Sequence, residues 1–172
     1  EKLVSFADSL VGFMRGGLGQ VAITGSMFFG GISGSAVADT AATGAMMIPS
    51  MKEQGYTAAN ATAINTVSSV IGIIIPPSIP LILYGIVTET SISRLFIAGI
   101  IPGLLIGFAL MVTTYILAKK NGGGVRQFRW DRLWKAFKDA WLALVLPVIV
   151  IGGIIGGVFT ATEAAVAALL YA

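Results

Sequence analysis

The residues of this chain best suited to chemistry fall within one short run. Residues 30–44, GGISGSAVADTAATG, carry Ser33, Ser35 and Thr40 together with Asp39, the only charge between Arg15 and Lys52. The flanking sequence is apolar. A carboxylate at membrane depth costs about 2.5–3.5 kcal/mol on insertion scales, so it needs a polar partner or water and marks a functional region. A second set of oxygens belongs to the backbone. Residues 68–80, SSVIGIIIPPSIP, place Pro76 and Pro77 side by side, with Pro80 following. Each proline deletes a backbone donor and pushes the residue before it out of the helical region. The carbonyls near residues 72–76 then lose their intrahelical partners. Plainer readings exist for both stretches. Gly30 and Gly34 make a small-xxx-small packing seam, which leaves the hydroxyls and Asp39 unexplained. A proline kink would need only one proline, whereas Gly72 with the Pro-Pro-Ser-x-Pro cluster points to local unwinding.

Composition sets the surroundings of these groups. Of 172 residues, 56% are hydrophobic and 11% charged, and the mean hydropathy is +0.89. That is a membrane composition; a soluble domain would carry about twice the charge. The chain has no Cys and no His. Disulfides, thiol or imidazole metal sites, Ser-His-Asp triads and His proton relays are thereby excluded within it. The net charge of +3 does not signal nucleic acid, because the basic residues gather at membrane borders. The chain starts at Glu1 without a signal-peptide pattern, and VAALLYA (166–172) is still apolar. The expectation is an internal segment of a longer membrane protein.

The elements that must position the polar groups follow from periodicity. Residues 1–15 form an interfacial amphipathic helix, with Leu3, Phe6, Ala7, Leu10, Val11 and Met14 on one side. Residues 16–51 are too few for two spans of about 20 residues plus a turn, and too many for one. A re-entrant hairpin is expected: in along 17–32, a tip at 33–36, back along 37–50, with Asp39 and Thr40 capping or lining the return arm. Residues 57–88 make a discontinuous transmembrane helix, and 95–118 a continuous one packed through Gly103 and Gly107. Residues 119–139 form a basic loop, hinged at Gly122–Gly124, and an amphipathic helix striped with Trp130, Leu133, Trp134, Phe137 and Trp141. A span over 140–159 follows, and 160–172 starts the next helix through a Thr160/Glu163 capping box. The positive-inside rule places 119–138 in the cytoplasm, Glu89 and Arg94 outside, and Lys52 and Arg15 inside. The fold class expected is an all-α membrane protein.

SMFFGGISGSAVADTAATG (26–44), GIIIPPSIPLILYG (72–85) and FTATEAA (159–165) resemble the large membrane subunit of tripartite ATP-independent periplasmic (TRAP) transporters. The resemblance runs over the whole chain. It implies sodium-coupled import of organic acids, such as C4-dicarboxylates or sialic acids, across the bacterial inner membrane. It also implies a periplasmic substrate-binding protein, a small membrane subunit, and an elevator built from two inverted repeats. Each repeat holds a hairpin and a broken helix; this chain carries one such pair, the first. By motif, Ser33 and Ser35 resemble sodium ligands at the hairpin tip. The backbone carbonyls of Gly72, Ile75 and Pro77 resemble the other half of that Na+ site. Asp39, Thr40 and Ser78 fall in the substrate and tip region. The residue types agree, since sodium is a hard cation that takes several oxygens, and broken helices at mid-membrane are where secondary transporters hold coupling ions.

Three other functions compete. GISG (31–34) matches the short GxSG pattern of rhomboid-like proteases, but a serine nucleophile needs a base and no His is present. A passive channel would show no sodium-driven accumulation. A related elevator carrier would work without a binding protein.

Overall fold

The computed structural model describes residues 2–121 and 128–171, and the described residues contain helices and no strand. The expected Gly122–Gly124 hinge lies outside the described residues. The order is α1 (Lys2–Val11), α2 (Gly17–Ser33), α3 (Ala36–Glu53), α4 (Ala58–Ser69), a 3-10 turn (Val70–Ile73), α5 (Ile79–Val87), α6 (Ile92–Asn121), α7 (Trp130–Ile155) and α8 (Ala161–Tyr171).

Local sequence explains the breaks. α2 stops at Gly34, which sits in the left-handed region with φ 61° and returns its N–H to the Gly30 carbonyl. Only glycine takes that conformation without a Cβ penalty. Ser35 then caps α3, its Oγ accepting from the Ala38 N–H at 3.3 Å. The cap is therefore Ser35; Asp39 lies in the first turn of the helix and Thr40 follows it. Between α4 and α5 the chain passes Pro76 and Pro77, joined by a cis peptide bond. It resumes at Ser78, whose Oγ accepts from the Leu81 N–H at 3.3 Å.

The first arm of the chain is densely packed. Ala7, Val11, Val21, Ala22, Met47, Met51, Tyr56 and Ala61 form one buried cluster that joins α1 to α4. A second cluster, Phe96, Val150, Ile154 and Ala164, joins α6, α7 and α8, with Leu81 and Ile82 of α5 against it. α6 and α7 are both long and apolar enough to cross a membrane. They keep much of that apolar surface outward, including Ile101, Leu105, Phe108 and Ile116 of α6. α7 runs unbroken through residue 140, where the hydropathy pattern changes from an amphipathic helix to a span. No helix breaker stands between Lys138 and Leu142, so the two stretches belong to one helix, which also takes in Pro147.

Polar contacts tie these pieces together. Arg132 of α7 pairs with Asp8 of α1 at 2.8 Å. Gln20 of α2 donates to the Met111 carbonyl of α6 at 2.9 Å, and Ser93 of α6 to the Ile154 carbonyl of α7 at 3.0 Å. At the start of α8, Glu163 accepts from the Thr160 N–H at 2.8 Å while its own N–H is accepted by the Thr160 hydroxyl at 3.3 Å, a reciprocal capping box.

Candidate functional site

The α2–α3 break and the α4–α5 break meet. A Cβ built on Gly30 would lie 2.5 Å from the Gly72 Cα, so the two backbones touch and any side chain at either position would force them apart. A Cβ on Gly34 would lie 2.5 Å from the Pro77 carbonyl oxygen. A backbone hydrogen bond, Ile79 N–H to the Gly34 carbonyl at 3.4 Å, crosses the same junction. The glycines therefore do act as a packing seam, and what they pack against is the unwound segment.

The three carbonyls singled out from the sequence can each be followed through their missing donors. In an α-helix the carbonyl of residue i accepts from the N–H of residue i+4. For Gly72 that residue is Pro76, which has no N–H. For Ile75 it is Ile79, whose N–H turns to Gly34 instead. For Pro77 it is Leu81, whose N–H is taken by the Ser78 hydroxyl. The Ile73 carbonyl, which would lose its donor to Pro77, is rescued by the Ser78 hydroxyl at 2.6 Å. Ser78 is fully buried and engaged both as donor and as acceptor, so it holds the break in shape. Oxygens released in this way need another partner, and a hard cation is one.

On the tip itself, Ser33 and Ser35 are half-buried. The Ser33 Oγ accepts from the Ser35 N–H at 3.3 Å, and the Ser35 Oγ serves as the α3 cap. Each hydroxyl keeps lone-pair capacity for a further contact. The structure thus brings Ser33, Ser35, Gly72 and Pro77 to one junction, with Ile75 on the same unwound strand of backbone.

Asp39, Thr40 and Ser78 do not form a single group. Ser78 belongs to the break. Thr40 offers its carbonyl to the Asn65 side-chain amide of α4 at 3.2 Å. Asp39 is 0% exposed, and the side chains within reach of its carboxyl are Ser26 of α2, Ser69 of α4 and Thr43 of α3. Asn65 also accepts from the Thr43 hydroxyl at 2.9 Å, which makes it a clamp between α3 and α4. Sequence reasoning missed Ser26, Thr43, Asn65 and Ser69 as a set. The signal was present: Asn65, Ser68 and Ser69 follow helical spacing within an uncharged stretch, and all three are buried.

The family model described as "Tripartite ATP-independent periplasmic transporter, DctM component" matches residues 1–172. A putative TRAP transporter large permease protein of Haemophilus influenzae is 47% identical over 172 residues, covering 99% of this chain and 43% of that protein. The sialic acid TRAP transporter large permease protein SiaM of Vibrio cholerae is 47% identical, over 100% of this chain and 40% of its own length. The C4-dicarboxylate TRAP transporter large permease protein DctM of Pseudomonas aeruginosa is 44% identical, over 99% of this chain and 40% of its own. The chain therefore spans roughly two fifths of the length of these curated relatives.

Proposed function

The chain belongs to the DctM-component family of tripartite ATP-independent periplasmic transporters, and from that premise we propose that it forms one half of a sodium-coupled carrier for organic acid anions. The relatives' names cover sialic acid, C4-dicarboxylates and 2,3-diketo-L-gulonate. Their common chemistry is a small, hydrophilic carboxylate that cannot cross a bilayer unaided. The protein works in the bacterial inner membrane as a multi-pass subunit and is not an enzyme. It takes its substrate from a periplasmic binding protein and is braced by a small membrane subunit.

One observation carries the sodium reading. The carbonyls of Gly72, Ile75 and Pro77 have each lost the helical donor, and Gly34, between Ser33 and Ser35, lies against the Pro77 carbonyl. Two hydroxyls on the tip and three donor-less carbonyls on the segment it packs against are uncharged oxygens that suit a hard monovalent cation. The hairpin and the broken helix are joined by the Gly30–Gly72 contact and the Ile79–Gly34 hydrogen bond. They are suited to move as one body in an elevator cycle, carrying ion and substrate together.

The test is the sodium dependence of uptake in proteoliposomes that hold the complete permease, its small subunit and its binding protein. Losing one charge-facing oxygen costs about 1.5–3 kcal/mol, so Ser35→Ala should raise the half-saturating sodium concentration about ten-fold or more. Unchanged sodium dependence in both Ser33→Ala and Ser35→Ala would make the tip a packing device. Full-rate uptake without the binding protein would identify a stand-alone carrier, and uptake that never becomes concentrative a channel. The chain lacks Cys, so single cysteines at 15 and 52 should label from the same, cytoplasmic side if residues 16–51 re-enter. Labelling from opposite sides would remove the hairpin.

A further inference from the structure

Asp39 has no role at the junction described above. It lies in the first turn of α3, 0% exposed, and neither carboxylate oxygen has a hydrogen-bond partner among the described residues. A buried carboxylate normally accepts several hydrogen bonds or binds a metal, because leaving it bare costs several kcal/mol.

The neighbours leave few protons for it. The side chains within reach of the carboxyl are Ser26, Ser69 and Thr43. A hydroxyl has one proton and two lone pairs. The Ser69 proton goes to the Asn65 carbonyl at 3.0 Å. The Thr43 proton goes to the Asp39 carbonyl at 2.7 Å or to the Asn65 side-chain oxygen at 2.9 Å. Ser26, also 0% exposed, is the one hydroxyl with an uncommitted proton, and a carboxylate offers about four acceptor sites. The cluster is therefore a set of oxygens with their lone pairs left over and a deficit of protons. Three helices build it: α2 through Ser26, α3 through Asp39 and Thr43, α4 through Ser69.

We propose that Asp39, Ser26, Thr43 and Ser69 hold a monovalent cation inside the helix packing, at a site separate from the hairpin tip. One carboxylate and three hydroxyls balance a single positive charge. A divalent ion would call for more carboxylates, and no group of three or more acidic or other metal-ligating side chains occurs among the described residues. A cavity of about 500 Å³ lies beside the cluster, lined by Thr43 and by Gly25, next to Ser26, together with Phe29 and Met46. Asn65 is a positioning residue here. It fixes Thr43 through its side-chain oxygen and the start of α3 through the Thr40 carbonyl. A cation at this place cross-links α2, α3 and α4, so that ion occupancy and the seating of the hairpin on the broken helix become one equilibrium.

The choice of sodium as the ion rests on the function proposed above, so the experiment must separate the two. Equilibrium binding of radioactive sodium is measured on the full-length permease in complex with its small subunit. The wild type should bind at least two ions. Asp39→Asn should lose one and Ser35→Ala a different one, and the double variant should lose both. Ser69→Ala and Thr43→Val keep the carboxylate and remove one oxygen each, and should weaken one class of sites about ten-fold. These milder variants, with a sodium-dependent rise in melting temperature as a second readout, cover the case in which Asp39→Asn does not fold. Full sodium stoichiometry in Asp39→Asn, with unaltered affinity in Ser69→Ala and Thr43→Val, would overturn the site. A single sodium lost in Ser35→Ala and kept in Asp39→Asn would overturn this proposal alone. A single sodium with the reverse pattern would uphold it and overturn the tip.

Discussion

At the hairpin tip the oxygens come largely from the backbone; one turn further into α3 they come from side chains. The tip arises where two helices break, and its carbonyls are free because prolines and rerouted N–H groups deprive them of donors. The Asp39 cluster arises where the start of α3 and the end of α4 meet α2, and the protons of Thr43 and Ser69 are spent within their own helices. The proposed tip site has no formally charged ligand, so a bound cation would leave it with a net positive charge. The Asp39 cluster holds one carboxyl in a buried place, where an ionised form would need a counter-charge. The two regions are proposed to bind ions by opposite routes. Backbone sites are set by where the chain breaks, and side-chain sites by which faces meet.

The contrast can be broken most severely at the backbone. Gly30→Val would drive a side chain into the Gly72 backbone, where even a Cβ is 2.5 Å from the Cα. Uptake should fall to background, and the protein should be destabilised by about 1–3 kcal/mol or more, read as a lower melting temperature in detergent. Normal uptake in Gly30→Val would mean that the two breaks need not touch. A smaller effect belongs to the side-chain region. Asn65→Ala removes the clamp on Thr43 and Thr40 at a cost of about 1–3 kcal/mol. It should lower thermal stability, while raising the half-saturating sodium concentration for uptake less than Ser35→Ala does. An equal or larger shift would show that the two regions are not separable. The smallest effect is a control away from both. Thr160→Ala removes the capping box of α8, worth about 1 kcal/mol. Melting should fall slightly with the sodium dependence of uptake unchanged. A shift in that dependence would show that general stability feeds into the sodium response.

Tyr56 adds a feature outside the membrane-spanning segments. It lies in the turn between α3 and α4, and burial pushes its phenol above its ordinary value, with the Gly19 backbone pulling the other way. A raised acid keeps its proton in the folded state. Its contribution is complete below the ordinary tyrosine value and is lost only as pH rises through the raised one, so it leaves neutral pH behaviour to other groups.

Much of this was legible in the chain itself. The prolines at 76, 77 and 80 settle that the carbonyls of Gly72, Ile73 and Pro76 lose their helical donors, because a missing N–H is a covalent fact, whereas Ile75 and Pro77 lose theirs through N–H groups rerouted in the folded chain. Gly34 marks the end of α2, because a left-handed residue is needed there and glycine supplies it. Asp39 stands out because a charge in an apolar run has to be explained. Tertiary structure decided the rest. That the tip faces the proline break, that Ser35 is the cap, and that Asp39 turns away from the tip toward Ser26, Thr43 and Ser69 all depend on how α2, α3 and α4 lie against one another. The sequence lists donors and acceptors in order along the chain. Which of them share a site is a matter of helix packing, and packing is fixed by buried surfaces spread over many residues rather than by any short motif.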